Sequence, residues 1–110
     1  MTFTADSDTT NHVVLDDEDS EKTVDVEVTT LDNELRDEFP TLLKIDVEGY
    51  ETPVLEGARV TLEKKTLYAV IMELNGSGQR YGFDESKILK FMFNFGFKPY
   101  SYNPFERTLI

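Results

Sequence analysis

The sequence predicts an α/β fold centred on a parallel pair of strands, and three observations carry that reading. Residues 42–47, Leu42-Leu43-Lys44-Ile45-Asp46-Val47, alternate so that Leu43, Ile45 and Val47 share one face. Residues 53–65 bring Val54, Leu55, Ala58 and Leu62 onto one helical stripe. Residues 67–74 are apolar almost throughout, broken only by Glu73, and the run is too short for a long helix. A strand, a helix and a second strand in this order leave enough chain for a crossover, and such units form parallel pairs with right-handed connections.

Each element has its own local reason. Val24, Val26 and Val28 alternate with Asp25, Glu27 and Thr29, which predicts a half-buried strand with its valines inward. Thr29 or Thr30 can cap a short helix in which Leu31, Leu35 and Phe39 recur every fourth residue, with Pro40 after its end. Pro53 suits the first turn of the central helix, where a missing N–H costs nothing. Lys64-Lys65 close that helix with the charge its C-terminal dipole prefers. The second strand reads as covered on both faces, as parallel strands usually are. Asp84 can cap a last helix with Ile88, Phe91, Met92 and Phe95 on one side, and Gly96 is its left-handed stop. Residues 97–100 and 107–110 read as two closing strands, with Asn103-Pro104-Phe105 as the turn between them.

Length and charge limit what this domain can be. At 110 residues the chain suits one domain, because domains mostly run about 100–150 residues. With no cysteine, disulfide scaffolds, thiolate zinc sites and cysteine nucleophiles are excluded. The single histidine, His12, excludes multi-histidine metal clusters and reads as a hydrogen-bonding loop residue. The formal net charge is −11, and residues 1–40 carry all of the excess, with 13 acidic and two basic residues. Such a surface repels phosphate, so nucleic acid and anionic lipid are poor partners. No apolar run approaches the roughly 18 residues of a membrane span, so a soluble cytoplasmic protein is expected. Residues 1–23, with Asp16-Asp17-Glu18-Asp19 at their centre, read as an acidic loop or loosely held hairpin. The four acids lack the alternation, central glycine and closing Glu of a calcium loop.

The parallel pair locates a candidate site. In open α/β sheets, ligands bind beyond the carboxyl ends of the strands. The first strand ends at Asp46-Val47-Glu48-Gly49 and the second at Glu73-Leu74-Asn75-Gly76. If the strands are aligned, Asp46 and Glu73 face one cleft, with Glu48 and Asn75 beside them. An oriented, partly desolvated carboxylate can take a proton from a hydroxyl. Carboxylates with an amide oxygen can also hold a hard cation such as Mg²⁺. The plain alternative is that charged residues stand at strand ends because those ends meet water, and that Glu48 only caps the next helix. Gly76-Ser77-Gly78-Gln79-Arg80-Tyr81-Gly82 approaches a dinucleotide fingerprint, but its third glycine is one residue late. Tyr102 and Asn103 stand where the acidic ribose-binding residue is expected, so the segment reads as a flexible loop.

The order of residues says more than their periodicity. Leu43-Lys44-Ile45-Asp46-Val47-Glu48-Gly49-Tyr50-Glu51, Val54-Leu55-Glu56-Gly57-Ala58 and Ile71-Met72-Glu73 together resemble the FkbM family of S-adenosylmethionine-dependent methyltransferases. Thr29-Thr30-Leu31-Asp32 and Asn11-His12-Val13-Val14 resemble two further segments of that family upstream. The resemblance covers most of the chain and is densest over 24–74. It implies a Rossmann-like class I methyltransferase sheet, of which this chain supplies the C-terminal half: parallel strands plus a closing antiparallel hairpin. It implies methyl transfer from S-adenosylmethionine to a hydroxyl of a sugar or natural product, by direct displacement at the methyl group. Asp46, Glu48 and Glu73 match the family's catalytic positions, with Asp46 as the base or hydroxyl-orienting group. Related enzymes that use Mg²⁺ hold it at these same strand ends, which would suit Asp46, Glu73 and Asn75.

The departure from the family is the cofactor half. The family's glycine-rich turn and the acidic residue after its second strand hold most of the cofactor, and neither is found here; all six glycines stand at position 49 or later. The resemblance therefore implies a chain inactive alone. The open edge of strand 42–47 would be covered by the acidic segment, by a second copy or by a partner chain, or else left open in a truncated product that folds poorly. The alternative is a non-catalytic remnant or interaction module that dimerises or binds a partner protein.

Overall fold

The computed structural model describes residues 1–4, 12–15 and 23–110. The acidic run Asp16-Asp17-Glu18-Asp19 lies outside the described residues. The described residues form a small α/β structure with three separate two-stranded sheets. At its centre, strand β3 (Leu42–Ile45) pairs in parallel with β4 (Ala69–Met72), in the register Leu42↔Ala69 to Ile45↔Met72. Helices α2 (Glu51–Glu56) and α3 (Arg59–Glu63) form the crossover between them. Helix α4 (Ser86–Asn94) packs its Ile88 and Met92 into the same core.

That core follows from the predicted stripe. Ile45, Leu55, Ala58, Leu62, Leu67, Ile88 and Met92 are buried, with Leu43, Val47, Val70, Met72 and Leu74 packed against them. Full burial of an aliphatic side chain of this size contributes about 1.5–3 kcal/mol. Among the described residues only one face of the β3–β4 pair is covered, however. Leu42, Lys44, Ala69 and Ile71 alternate onto the opposite face and are exposed. Residues 67–74 are therefore not a strand covered on both sides: Tyr68 is 80% exposed and Ile71 52%. An apolar run shows that a segment can be buried on both faces, but a second layer is needed to bury it.

The crossover is two helices rather than the single one expected over 53–65. The break falls at Gly57-Ala58, where the Gly57 carbonyl accepts from Asp32 N at 2.9 Å. Asp32 belongs to the short helix α1 (Leu31–Glu34), capped by Thr30 Oγ1 accepting from Asn33 N at 3.1 Å. The Asp32 carboxylate in turn accepts from Val60 N (3.0 Å), Thr61 N (2.8 Å) and Thr61 Oγ1 (2.8 Å), so it caps α3 from another helix. Burial by itself would raise the Asp32 pKa, but these hydrogen bonds and the Lys64 charge prevail and hold it below the usual carboxylate value. Lys64 does not serve its own helix end. Its Nζ donates to the carbonyls of Leu35, Arg36 and Glu38 just beyond α1. α1 and α3 thus hold each other by reciprocal caps.

Other expectations need similar correction. β2 (Thr23–Asp25) pairs antiparallel with β1 (Thr2–Thr4), but Val24, Val26 and Val28 are exposed rather than inward, because among the described residues nothing packs over them. Of residues 1–23, only 1–4, 12–15 and Thr23 are described; there Phe3 bridges Val13, and Thr4 N donates to the His12 carbonyl at 2.9 Å. At α4 the expected stop holds, but the helix starts one residue later than an Asp84 cap implies: Glu85 is its N-cap, without a side-chain capping bond. Asp84 Oδ1 accepts from Ser86 N at 3.0 Å, and Gly96 at φ +92° ends the helix as Phe97 N donates to the Met92 carbonyl at 3.1 Å. In the closing hairpin the second strand, β6 (Thr108–Leu109), lies within the expected 107–110, but its partner β5 (Tyr102–Asn103) comes later than the expected 97–100, and Arg107 is left-handed in the turn at φ +55°. It is not hydrogen-bonded to β3–β4.

Candidate active site at the carboxyl ends of the parallel strands

Asp46 and Glu73 each stand one residue beyond the last paired residues, Ile45 and Met72. The parallel register therefore brings them side by side, on strands about 5 Å apart. By alternation both follow the outer, uncovered face, and both are exposed. The register gives the aligned strand ends that the sequence reading expects. What is missing among the described residues is desolvation, which a general base needs and which must come from whatever covers this face.

Two loops complete the rim. In the first, Glu48 is half-buried and left-handed at φ +51°, and Gly49 follows at φ +99°. Gly49 is required there twice over, by its φ and by contact. A Cβ would run into the Ser77 carbonyl and the Gly78 nitrogen of the second loop. The two loops are thus pressed backbone to backbone. The second loop is not a plain flexible segment: Ser77–Tyr81 form a 3₁₀ helix bounded by left-handed Gly76 (φ +90°) and Gly82 (φ +76°). Both carboxylate oxygens of Glu85 accept from Gly76 N, the shorter at 2.8 Å. Tyr50 of the first loop meets Tyr81 edge-on at 5.1 Å and Phe83 at 6.0 Å, and Tyr81 Oη donates to the Val13 carbonyl at 2.8 Å. The N-terminal segment is anchored to the rim by that bond.

Asn75 is placed differently from its expected role. It is exposed, and its Oδ1 accepts from Ser77 N at 3.0 Å and from Ser77 Oγ. That oxygen serves the turn. Among the described residues no three His, Cys, Asp or Glu side chains come together as a metal site. The suggested Mg²⁺ at Asp46, Glu73 and Asn75 therefore finds no support in the donor set.

Sequence reasoning gave no role to Glu51, although the motif contains it. Glu51 opens α2 and is 1% exposed. Its Oε1 accepts from Gly49 N at 3.3 Å, while Oε2 has no hydrogen-bond partner. An unpaired buried oxygen costs about 1–3 kcal/mol. The signal available in the sequence was an acid directly after a Glu-Gly turn, at the first position of an apolar helix. Tyr81 and Phe83 were also passed over; their one signal was two aromatics flanking Gly82.

This is a parallel α/β unit whose strand ends carry paired acids. Over residues 1–99 the chain matches the methyltransferase FkbM domain, and it belongs to that family. No curated protein and no solved structure matches it. Family membership implies S-adenosylmethionine, and the rim fits that cofactor only in part. Asp46, Glu48 and Glu73 offer acceptors for hydroxyl or ammonium groups, but the sequence has no glycine-rich turn before position 49 to admit a nucleoside close to backbone. Two cavities, of about 470 Å³ beside Lys65 and Phe97 and about 150 Å³ beside Thr52 and Phe91, lie away from these acids. The residues described do not make a complete cofactor seat. Among them no helix is long and apolar enough to cross a membrane.

Proposed function

We propose that this chain forms the acceptor side of an S-adenosylmethionine-dependent O-methyltransferase acting on a hydroxyl of a sugar or natural product. The observation that carries this is that Asp46 and Glu73 each follow directly on the last paired residues of β3 and β4, Ile45 and Met72, in an FkbM-family chain. In this reading Asp46 orients the acceptor hydroxyl and takes its proton. Glu73 and Glu48 hold neighbouring hydroxyls of the same molecule and fix its orientation. The chain corresponds to the C-terminal half of a Rossmann-like methyltransferase sheet, and the principal cofactor contacts come from outside the residues of this rim. The chain alone is then inactive, and the cover of its outer face supplies the desolvation that Asp46 lacks.

Isothermal titration calorimetry with S-adenosylhomocysteine tests this. No heat from a chain shown to be folded is the expected result. Micromolar binding at one site per chain would overturn the incomplete seat while keeping the methyltransferase reading.

A second reading, a non-catalytic interaction module, is favoured by one observation: Leu42, Ala69 and Ile71 make an apolar outer face without cover among the described residues. Light scattering separates the two. A stable dimer that neither binds S-adenosylhomocysteine nor transfers methyl with any partner present would favour the module.

A further inference from the structure

We propose that Glu51 is a positioning residue, whose buried carboxyl fixes the turn between β3 and α2 and so sets where Asp46 and Glu48 stand. The inference about Glu48 and Asp46 in turnover rests on the methyltransferase reading; the turn-holding role does not.

Three observations meet at this residue. The turn holds two successive left-handed residues, Glu48 at φ +51° and Gly49 at φ +99°. A non-glycine residue in that region is strained and persists only where its surroundings over-determine it. The Gly49 N–H inside the turn is taken by Glu51 Oε1 at 3.3 Å. Gly49 is itself wedged against Ser77 and Gly78, so a shift in this turn moves the first loop against the second, and Asp46 against Glu73. A carboxyl is a poor choice for stability here, since Glu51 is 1% exposed and its Oε2 goes unpaired. An apolar side chain of like size would fill the space without an unmatched acceptor. What the carboxyl adds is the acceptor for Gly49 N–H. Buried as it is, Glu51 does not touch a substrate, and it acts through Glu48 and Asp46.

The test compares Glu51→Gln, which keeps a carbonyl acceptor for Gly49 N–H, with Glu51→Leu, which removes it and keeps the bulk. Amide hydrogen exchange by NMR is read at Gly49, with the amide shifts of Asp46 and Glu48. The expected result is at least ten-fold faster exchange at Gly49 in Glu51→Leu, with the Asp46 and Glu48 shifts displaced. Glu51→Gln should restore both the protection and the shifts. Unchanged Gly49 protection in a folded Glu51→Leu chain would overturn the proposal, and so would a Glu51→Gln chain that behaves like Glu51→Leu. If Glu51→Leu does not fold, Glu51→Gln is compared with Glu51→Met, which answers the same question. In an assembly that transfers methyl, Glu51→Leu should lower kcat at least ten-fold and Glu51→Gln should recover most of it. Equal kcat there would remove the positioning role. An assembly without any turnover would count against the methyltransferase reading, and the exchange data would still decide who holds the turn.

Discussion

The inner and outer faces of the β3–β4 pair are made by alternate residues of the same two strands, and they differ in nearly everything else. Inward, Leu43, Ile45, Val70 and Met72 meet Leu55, Leu62 and Met92 from three helices. Outward, Leu42, Ala69 and Ile71 meet no layer among the described residues, and the same row ends in Asp46 and Glu73. The pleat separates the two tasks at single-residue resolution. Packing on one side fixes where the strand ends stand, and the acids on the other side are left free for chemistry or for a partner.

The largest expected effect lies on the inner face. Leu55 is 2% exposed, so Leu55→Ala should cost about 2–5 kcal/mol in denaturant unfolding. Ile71→Ser on the outer face should change stability by no more than about 0.5 kcal/mol. If Ile71→Ser costs as much as Leu55→Ala, the outer face is covered in solution and the contrast collapses.

Next in size is the joint between the two loops. A Cβ at Gly82 meets open space, so Gly82→Ala should cost only its left-handed backbone term, about 1–2 kcal/mol. Gly49→Ala adds a clash with Ser77 to the same term and should cost measurably more in the same unfolding experiment. Equal losses at the two positions would mean that the loops are not wedged together.

A smaller effect is expected at Asp32, which serves the inner side through α3. Asp32→Ala should cost about 1 kcal/mol, the usual loss of a cap. The pH dependence has a definite sign. The folded pKa is lowered, so the cap's contribution is complete above the unfolded value of about 4 and is lost as pH falls through the folded one. Asp32→Asn should narrow the stability gap between neutral and acid pH; an unchanged gap would show that Asp32 does not supply it.

The smallest stability effect belongs to the rim. Asp46→Asn and Glu73→Gln remove neighbouring like charges from exposed positions and should shift stability by no more than about 0.5 kcal/mol, in either direction. Their cost should fall on turnover in an active assembly, and normal turnover in Asp46→Asn would remove Asp46 from the mechanism.

Much of this molecule was legible as sequence. The alternation over 42–47, the stripe of Leu55, Ala58 and Leu62 and the Gly96 stop are local signals, set by side-chain spacing and backbone freedom. The parallel pairing of the two strands, which ends just before Asp46 and Glu73, followed from element order, because a helical crossover leaves few other arrangements. The family could also be read from the motif run. Tertiary structure decided the rest. Whether residues 67–74 were covered once or twice depended on a second layer that no strand encodes. The break at Gly57 depended on Asp32, which reaches α3 from another helix. The burial of Glu51 depended on how the turn closes over it, since its neighbours in sequence give an acid there no reason to face inward. Local propensity is written residue by residue; which side of a strand finds a neighbour, and which oxygen is left without one, is settled only when distant segments meet.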